Sequence, residues 1–179
     1  MVGRETDRLA WAVEMLAVEP GDRLLEIGCG QGVAVSLVCD RLVSGNITAI
    51  DRSAAMIAQA ERRNREQIAS GKAIIRAATL EKADFGGARF DTVFAVNVSD
   101  LWRRPDETLG QIARLLAPEG TLAIFHQPPG WREEAEMRAF ATMITELLQE
   151  RRFRIRDRQF QDGAAVPMVC VIAAAPVPH

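Results

Sequence analysis

Gly28, Gly30 and Gly32 stand at alternate positions just where the apolar run from Arg23 to Ile27 gives way to a helical pattern. Glycine this dense serves a chain that turns sharply through left-handed conformations, or one whose backbone is approached closely by something else. After the turn, Val35, Leu37, Val38, Leu42 and Val43 predict a helix over Gln31 to Val43. A strand, a glycine turn and a helix in that order form the first unit of a parallel α/β sheet.

The alternation continues along the chain. Leu9, Ala12, Val13 and Leu16 make one apolar stripe of a short N-terminal helix within residues 1–20, stopped by Pro20-Gly21. Asn46 to Ile50 is a strand ending at Asp51, and Ser53 caps a helix that reaches Ile68 and stops at Ser70-Gly71. Lys72 to Ala78 is the next strand, followed by a polar stretch with at most one helical turn. Phe90 to Val96 is a strand, Asp106 to Leu116 a helix closed by Ala117-Pro118-Glu119-Gly120, and Thr121 to Phe125 a strand. An amphipathic helix over Glu133 to Arg151 precedes two β-like segments, Phe153 to Phe160 and Val166 to Ala174, with Gln161-Asp162-Gly163 as the turn between them. These elements predict an α/β fold: a doubly wound, mostly parallel sheet with an antiparallel final strand pair and helices on both faces. No linker or repeat divides residues 1–179, so the expectation is a single domain.

Composition narrows the function. Hydrophobic residues make up 48% and charged residues 26% of the 179, as in globular proteins rather than disordered tails. The net charge of −2 argues against a nucleic-acid partner held by bulk electrostatics. No apolar run approaches the roughly 18 residues of a membrane span, and Met1 to Asp7 lacks a signal-peptide core, so a cytoplasmic location without membrane attachment is expected. The three cysteines, at 29, 39 and 170, form no CxxC pair, and the only histidines are His126 and His179. Neither a disulfide framework nor a metal centre is expected. Tyrosine is absent, which excludes a phenol as catalytic base.

In an open parallel sheet, ligands bind beyond the carboxyl ends of the strands. A dinucleotide site asks for G-x-G-x-x-G, and the third glycine would fall at Val33. Glu26, two residues before the glycines, repels a pyrophosphate but suits a ligand bearing a sulfonium and an ammonium. Asp51, at the end of the following strand, is placed to accept hydrogen bonds from ribose hydroxyls. Taken singly, a glycine turn is only a turn and an aspartate after a strand only a helix cap. Together they point to a nucleoside-bearing cofactor.

At these residues the chain resembles the class I S-adenosylmethionine-dependent methyltransferases. Leu24-Leu25-Glu26-Ile27-Gly28-Cys29-Gly30-Gln31-Gly32 is similar to their first motif, and Asp51 to the acidic residue of the second. Phe90-Asp91-Thr92-Val93-Phe94-Ala95-Val96-Asn97 resembles the fourth-strand motif, and Leu115-Leu116-Ala117-Pro118-Glu119-Gly120-Thr121-Leu122 the turn into the fifth strand. The likeness runs from about Asp22 to Phe125. It implies a Rossmann-like fold, S-adenosylmethionine as cofactor with S-adenosylhomocysteine as product, and a small-molecule substrate. It further implies that Glu26, Gly28, Cys29, Gly30 and Gly32 surround the methionyl part and that Asp51 holds the ribose. Arg52, Met56, Thr79 and Leu80 would then lie at the adenine, with Asn97 closing the fourth strand. Thr79 stands where the family carries an acidic residue, and a hydroxyl can accept the same bond.

Methyl transfer from a sulfonium asks the protein mainly to align two partners and exclude water, although a hydroxyl acceptor wants a base. His126, directly after the fifth strand, is the candidate base or substrate contact, and its alternative is loop packing. Asp100 and Trp102 stand near the same mouth, and Asp100 can equally cap the short turn before Pro105. Asn97 is followed by Val98-Ser99-Asp100, so the Asn-Pro-Pro-aromatic motif of nucleic-acid amino methylation is missing. Pro128-Pro129 reads as a loop former.

Arg152, Arg154, Arg156 and Arg158 alternate along a predicted strand, which places four guanidiniums on one face as an edge guarded by charge or a contact for an anion. Arg62, Arg63 and Arg65 read as the wet face of a helix. With so little chain before the first strand, the expectation is either an open site or closure by a homodimer; a site that is shielded takes its cover from the loop from Gln127 to Arg132, the N-terminal helix or a second subunit. Two other readings share the glycine turn: a domain that binds S-adenosylmethionine without transferring its methyl, and a nicotinamide oxidoreductase, which Val33 and Glu26 disfavour.

Overall fold

A computed structural model describes residues 2–127, 134–161 and 167–176. Among these residues, seven strands form one sheet: β1 (Arg23–Ile27), β2 (Asn46–Asp51), β3 (Ala73–Ala77), β4 (Phe90–Val96), β5 (Leu116–His126), β6 (Arg154–Gln161) and β7 (Met168–Ala174). Their order is β3-β2-β1-β4-β5-β7-β6. The first five pair in parallel, and β7 enters antiparallel between β5 and β6. The parallel strands therefore end on one edge of the sheet, in the spatial order Ala77, Asp51, Ile27, Val96, His126.

Among the described residues, seven α-helices cover the sheet: α1 (Val2–Met15), α2 (Val33–Cys39), α3 (Ala54–Arg63), α4 (Arg65–Ala69), α5 (Asp100–Arg103), α6 (Pro105–Leu115) and α7 (Glu134–Glu150). Side chains alternate across each strand, so the core divides into two layers. Leu24, Ala49, Phe94 and Phe125 pack with Val13 of α1, Val35 of α2 and Ile57 of α3 on one face. Leu25, Val93, Leu122 and Ile124 pack with Ile112 of α6 and Ile144 of α7 on the other. Strands buried on both sides carry apolar residues nearly continuously, as β1 and β4 do.

Local chemistry sets most of the boundaries. Gly32 begins α2 in the left-handed region at φ 73°, and the Ser53 hydroxyl caps α3 by accepting the Met56 amide at 3.3 Å. Pro105 opens α6 at its first turn with Asp106 and Glu107 following, a favourable arrangement for the positive end of the helix.

Four expectations change. The helix after the glycines is shorter, ending at Cys39, because Leu42 and the segment beyond turn back towards Pro20, whose carbonyl accepts the amides of Val43, Ser44 and Gly45. The helix expected from Ser53 to Ile68 is two helices broken at Asn64. Ala117-Pro118-Glu119-Gly120 does not separate helix from strand: it lies inside β5, where the β4–β5 register shifts between Phe90 and Thr92 and Glu119 takes φ 60°. The arginines also do not share a face. β6 is an edge strand, as expected, but its register shifts between Ile155 and Asp157, so Arg156 is the extra residue and Arg158 changes sides relative to Arg154. Arg152, at φ 63°, precedes the strand. Arg154 and Arg156 reach instead to Glu119 on β5. Asp162-Gly163 and Pro128-Pro129 lie outside the described residues, as does most of the loop proposed to cover the site.

Candidate active site

The glycine turn is fastened from below. The amides of Gly28 and Cys29 both donate to the Ile50 carbonyl, at 2.8 and 3.0 Å, and Gly32 donates to the Cys29 carbonyl at 2.9 Å. The Gly30 amide donates to Asp51 Oδ2 at 2.9 Å, while Asp51 Oδ1 accepts the Ser53 amide at 2.8 Å. All three glycines have positive φ. A Cβ on Gly28 would stand 2.6 Å from Val98 Cγ2, and one on Gly32 would meet Asn64 Nδ2 at 2.6 Å. Around Gly30 there is open space instead. With these amides already bonded within the protein, and two carboxylates close by, the turn is poorly suited to a pyrophosphate.

Beside the turn lies a cavity of about 260 Å³. Gly28, Asp51, Arg52, Thr79, Leu80 and Asn97 are among the residues that line it, together with Asp100 from α5 and Arg104. Its wall thus collects the segments that follow β1, β2, β3 and β4. Gln111 of α6 donates to the Leu80 carbonyl at 2.6 Å and holds that side of the wall.

Glu26 sits under the turn, on the face of β1 shared with Leu24, at 3% exposure. Burial, and secondarily the Asp51 charge, push its carboxyl up to about 8. Its Oε2 has no hydrogen-bond partner, and neither has the buried Oγ1 of Thr79. Buried polar atoms left this way are costly unless a ligand completes them.

A second feature adjoins the cavity. At the end of β4, Asn97 adopts φ 58°, a conformation that asparagine tolerates better than most residues. Its Oδ1 lies 2.6 Å from the Gln127 amide and 3.2 Å from His126 Nδ1. The His126 ring packs against Trp102 of α5 and Phe140 of α7, with ring centres 4.8 and 4.2 Å away. Trp102 and Phe140 meet edge to face at 5.1 Å. Burial in this aromatic corner pulls the imidazole down to about 4.

A family model described as a methyltransferase domain matches residues 25–122. The chain belongs to this methyltransferase-domain family. It is 28% identical over 167 residues to the uncharacterized methyltransferase YdaC of Bacillus subtilis, covering 93% of this chain and 90% of that protein. It is 33% identical over 157 residues to trans-aconitate 2-methyltransferase of Escherichia coli, covering 85% of this chain and 56% of that protein. The chain thus spans just over half the length of that relative. Among solved structures, the fold matches magnesium protoporphyrin IX methyltransferase from Synechocystis, determined with S-adenosylmethionine bound, at a TM-score of 0.69 and 18% identity. That match covers 95% of this chain and 77% of the other. The protein is an S-adenosylmethionine-dependent methyltransferase with a Rossmann-like fold.

The residues present fit that cofactor. Glu26 Oε2 and Thr79 Oγ1 are buried acceptors without partners, and open space above Gly30 lets a ligand approach the backbone. Of the residues singled out in the sequence, Gly28, Asp51, Arg52, Thr79, Leu80, Asn97 and Asp100 line the cavity. Glu26, Gly30 and Gly32 lie at the turn beside it. Cys29 does not face it, because its side chain is buried in the α1–α2–α3 layer, which raises its thiol far above the ordinary value. Met56 and His126 are also outside the lining. Asp100 is not a helix cap, since Ser99 holds that position; it faces Arg104 at 3.7 Å.

Sequence reasoning missed Asn64, Phe140 and the role of Asn97. Asn64 is fully buried, with Nδ2 donating to the carbonyls of Gly32 and Ala60 at 2.9 Å each and Oδ1 accepting the Ser36 hydroxyl at 2.7 Å. It fastens the glycine turn to α3. A lone asparagine inside a helical pattern was its only signal. Among the described residues, no group of three His, Cys, Asp or Glu is arranged to hold a metal.

Proposed function

We propose that the enzyme methylates a hydroxyl of a small molecule seated against Trp102 and Phe140, with His126 accepting the hydroxyl proton. One observation carries this reading: Asn97 both lines the cofactor cavity and holds the His126 ring, so the imidazole is tied to the wall shared with the cofactor. Bound S-adenosylmethionine supplies a methyl carbon already activated by its sulfonium. As the acceptor oxygen takes the methyl, the carbon–sulfur electron pair returns to sulfur, giving S-adenosylhomocysteine, and the hydroxyl proton passes to the imidazole. The proton then leaves to solvent.

In this reading Glu26 and the turn at Gly28, Gly30 and Gly32 hold the methionyl part, with Glu26 facing its ammonium. Asp51 receives the ribose hydroxyls, and Arg52, Thr79 and Leu80 surround the adenine. Asp100, facing Arg104, forms cavity wall and is not a second base. The aromatic corner excludes water from one side of the acceptor. A carboxylate acceptor has no proton to give, whereas an alcohol or phenol does. The net charge of −2 supports a substrate other than nucleic acid. No helix among the described residues is long and apolar enough to cross a membrane, and a cytoplasmic location is part of the proposal. Dimerisation is a further element of the proposal, tested by sedimentation velocity.

The test is methyl transfer from labelled S-adenosylmethionine to a panel of phenols, alcohols, amines and carboxylates. Transfer confined to hydroxyl acceptors, reduced about 100-fold or more in His126→Ala with cofactor affinity unchanged, is expected. Full turnover in that variant would return His126 to a packing role.

A further inference from the structure

We propose that Asn97 is a positioning residue that locks His126 in the tautomer carrying its proton on Nδ1. This deepens the reading of His126 as proton acceptor and rests on it. A backbone amide can only donate, so the atom 2.6 Å from the Gln127 nitrogen must be the carbonyl oxygen of the asparagine and not its NH2 group. The same oxygen lies 3.2 Å from His126 Nδ1. Two acceptors cannot share a hydrogen bond, so Nδ1 carries the hydrogen and donates. In a neutral imidazole the other nitrogen then bears the lone pair. Nε2 is thereby assigned as the acceptor of the substrate proton.

The backbone supports this assignment. Asn97 continues from β4 with its amide donating to the Phe125 carbonyl at 2.9 Å, one residue before His126 on the neighbouring strand. It then turns at φ 58°, where its short side chain reaches across to the end of β5. The Gln127 amide fixes which way the side-chain amide faces, and Trp102 and Phe140 limit rotation of the imidazole. The Asn97 oxygen thus defines which ring nitrogen carries the proton, and the two aromatic contacts keep that nitrogen turned towards it. A histidine in the opposite tautomer would present an N–H to the substrate hydroxyl and could accept nothing through Nε2.

Long-range proton–nitrogen spectra of the imidazoles in the full chain test the proposal directly, because there are only two histidines and His126→Gln identifies the signals of His126. The wild type is expected to show the Nδ1–H pattern. Asn97→Gly, whose glycine accepts the positive φ, should lose that pattern and lower turnover at least tenfold. Asn97→Asp supplies an acceptor oxygen at the same place and should restore the Nδ1–H pattern and part of the turnover. An Nε2–H pattern in the wild type, or an unchanged Nδ1–H pattern in Asn97→Gly, overturns the assignment. If the tautomers respond as expected but His126→Gln keeps full turnover, the positioning stands and the reading of His126 as proton acceptor fails.

Discussion

Asp51 Oδ2 accepts the Gly30 amide at 2.9 Å, so the residue read as the ribose acceptor also holds the glycine turn in place. Its second oxygen is bonded to the Ser53 amide, and the carboxylate is thus fixed before any ligand arrives. Asp51→Ala should weaken S-adenosylmethionine binding by about 1–3 kcal/mol, because it removes a charged acceptor and loosens the turn. Asp51→Asn should lie between, since the amide oxygen can accept only one of the two backbone bonds. Isothermal titration of the three proteins provides the ranking, and an unchanged dissociation constant in Asp51→Ala would remove the ribose assignment.

Asn64 performs the second fastening. Replacing it with leucine leaves the Gly32 carbonyl and the Ser36 hydroxyl without their buried partner, at a cost of roughly 1–3 kcal/mol in stability. Urea denaturation should show a lower midpoint with an unchanged slope. Cofactor affinity should fall with it, because Gly32 and α3 are no longer tied together. A variant as stable as the parent would mean that the turn holds without the latch.

Much of this was legible in the sequence, for identifiable reasons. The strands are short and apolar and the turns rich in glycine, so the order of elements and the edge carrying Gly28, Asp51 and Asn97 followed from period and turn chemistry. What the sequence hid depends on contacts between distant segments. The break at Asn64 is set by bonds to Gly32 and Ser36, and a helical pattern reads straight through it. Alternation placed Arg154 and Arg158 on one face, and a single bulge at Arg156 reversed that. Cys29 lies inside the motif, yet its side chain turns to the core. Phe140 meets His126 only because α7 folds back over the end of β5.

Glu26 gives the protein a pH dependence of definite sign. Its folded-state carboxyl is raised from 4.5 to about 8, so folding favours the protonated form. The associated stability is fully present below the ordinary value and is lost as pH rises from 4.5 through about 8. Between 4.5 and 6.5 the opposite contribution of His126 offsets this loss, so the ligand-free protein should lose thermal stability chiefly between 6.5 and about 8, by an amount on the order of 2 kcal/mol. Glu26→Gln should flatten this part of the profile and weaken cofactor binding most clearly above about pH 8, where the carboxyl is ionised and attracts an ammonium that an amide does not. Thermal midpoints at several pH values check the first point and titration calorimetry the second. Equal slopes in the two proteins would show that Glu26 is not the group responsible.

His126 acts in the opposite direction. Burial among Trp102 and Phe140 lowers its imidazole from 6.5 to about 4, so the folded state holds it neutral where the unfolded chain would charge it. The stability from this group is present above 6.5 and is lost as pH falls through about 4. A base that stays unprotonated through mildly acidic conditions predicts that turnover should show no acid limb from His126 between neutral pH and about 5. His126→Phe preserves the aromatic packing, and it should therefore keep most of the stability while losing the transfer of a hydroxyl proton. Proton NMR titration of the His126 ring, assigned by that variant, gives the midpoint directly. A midpoint near 6.5 would place the ring in water, and the shielded corner with its dry acceptor site would have to be abandoned.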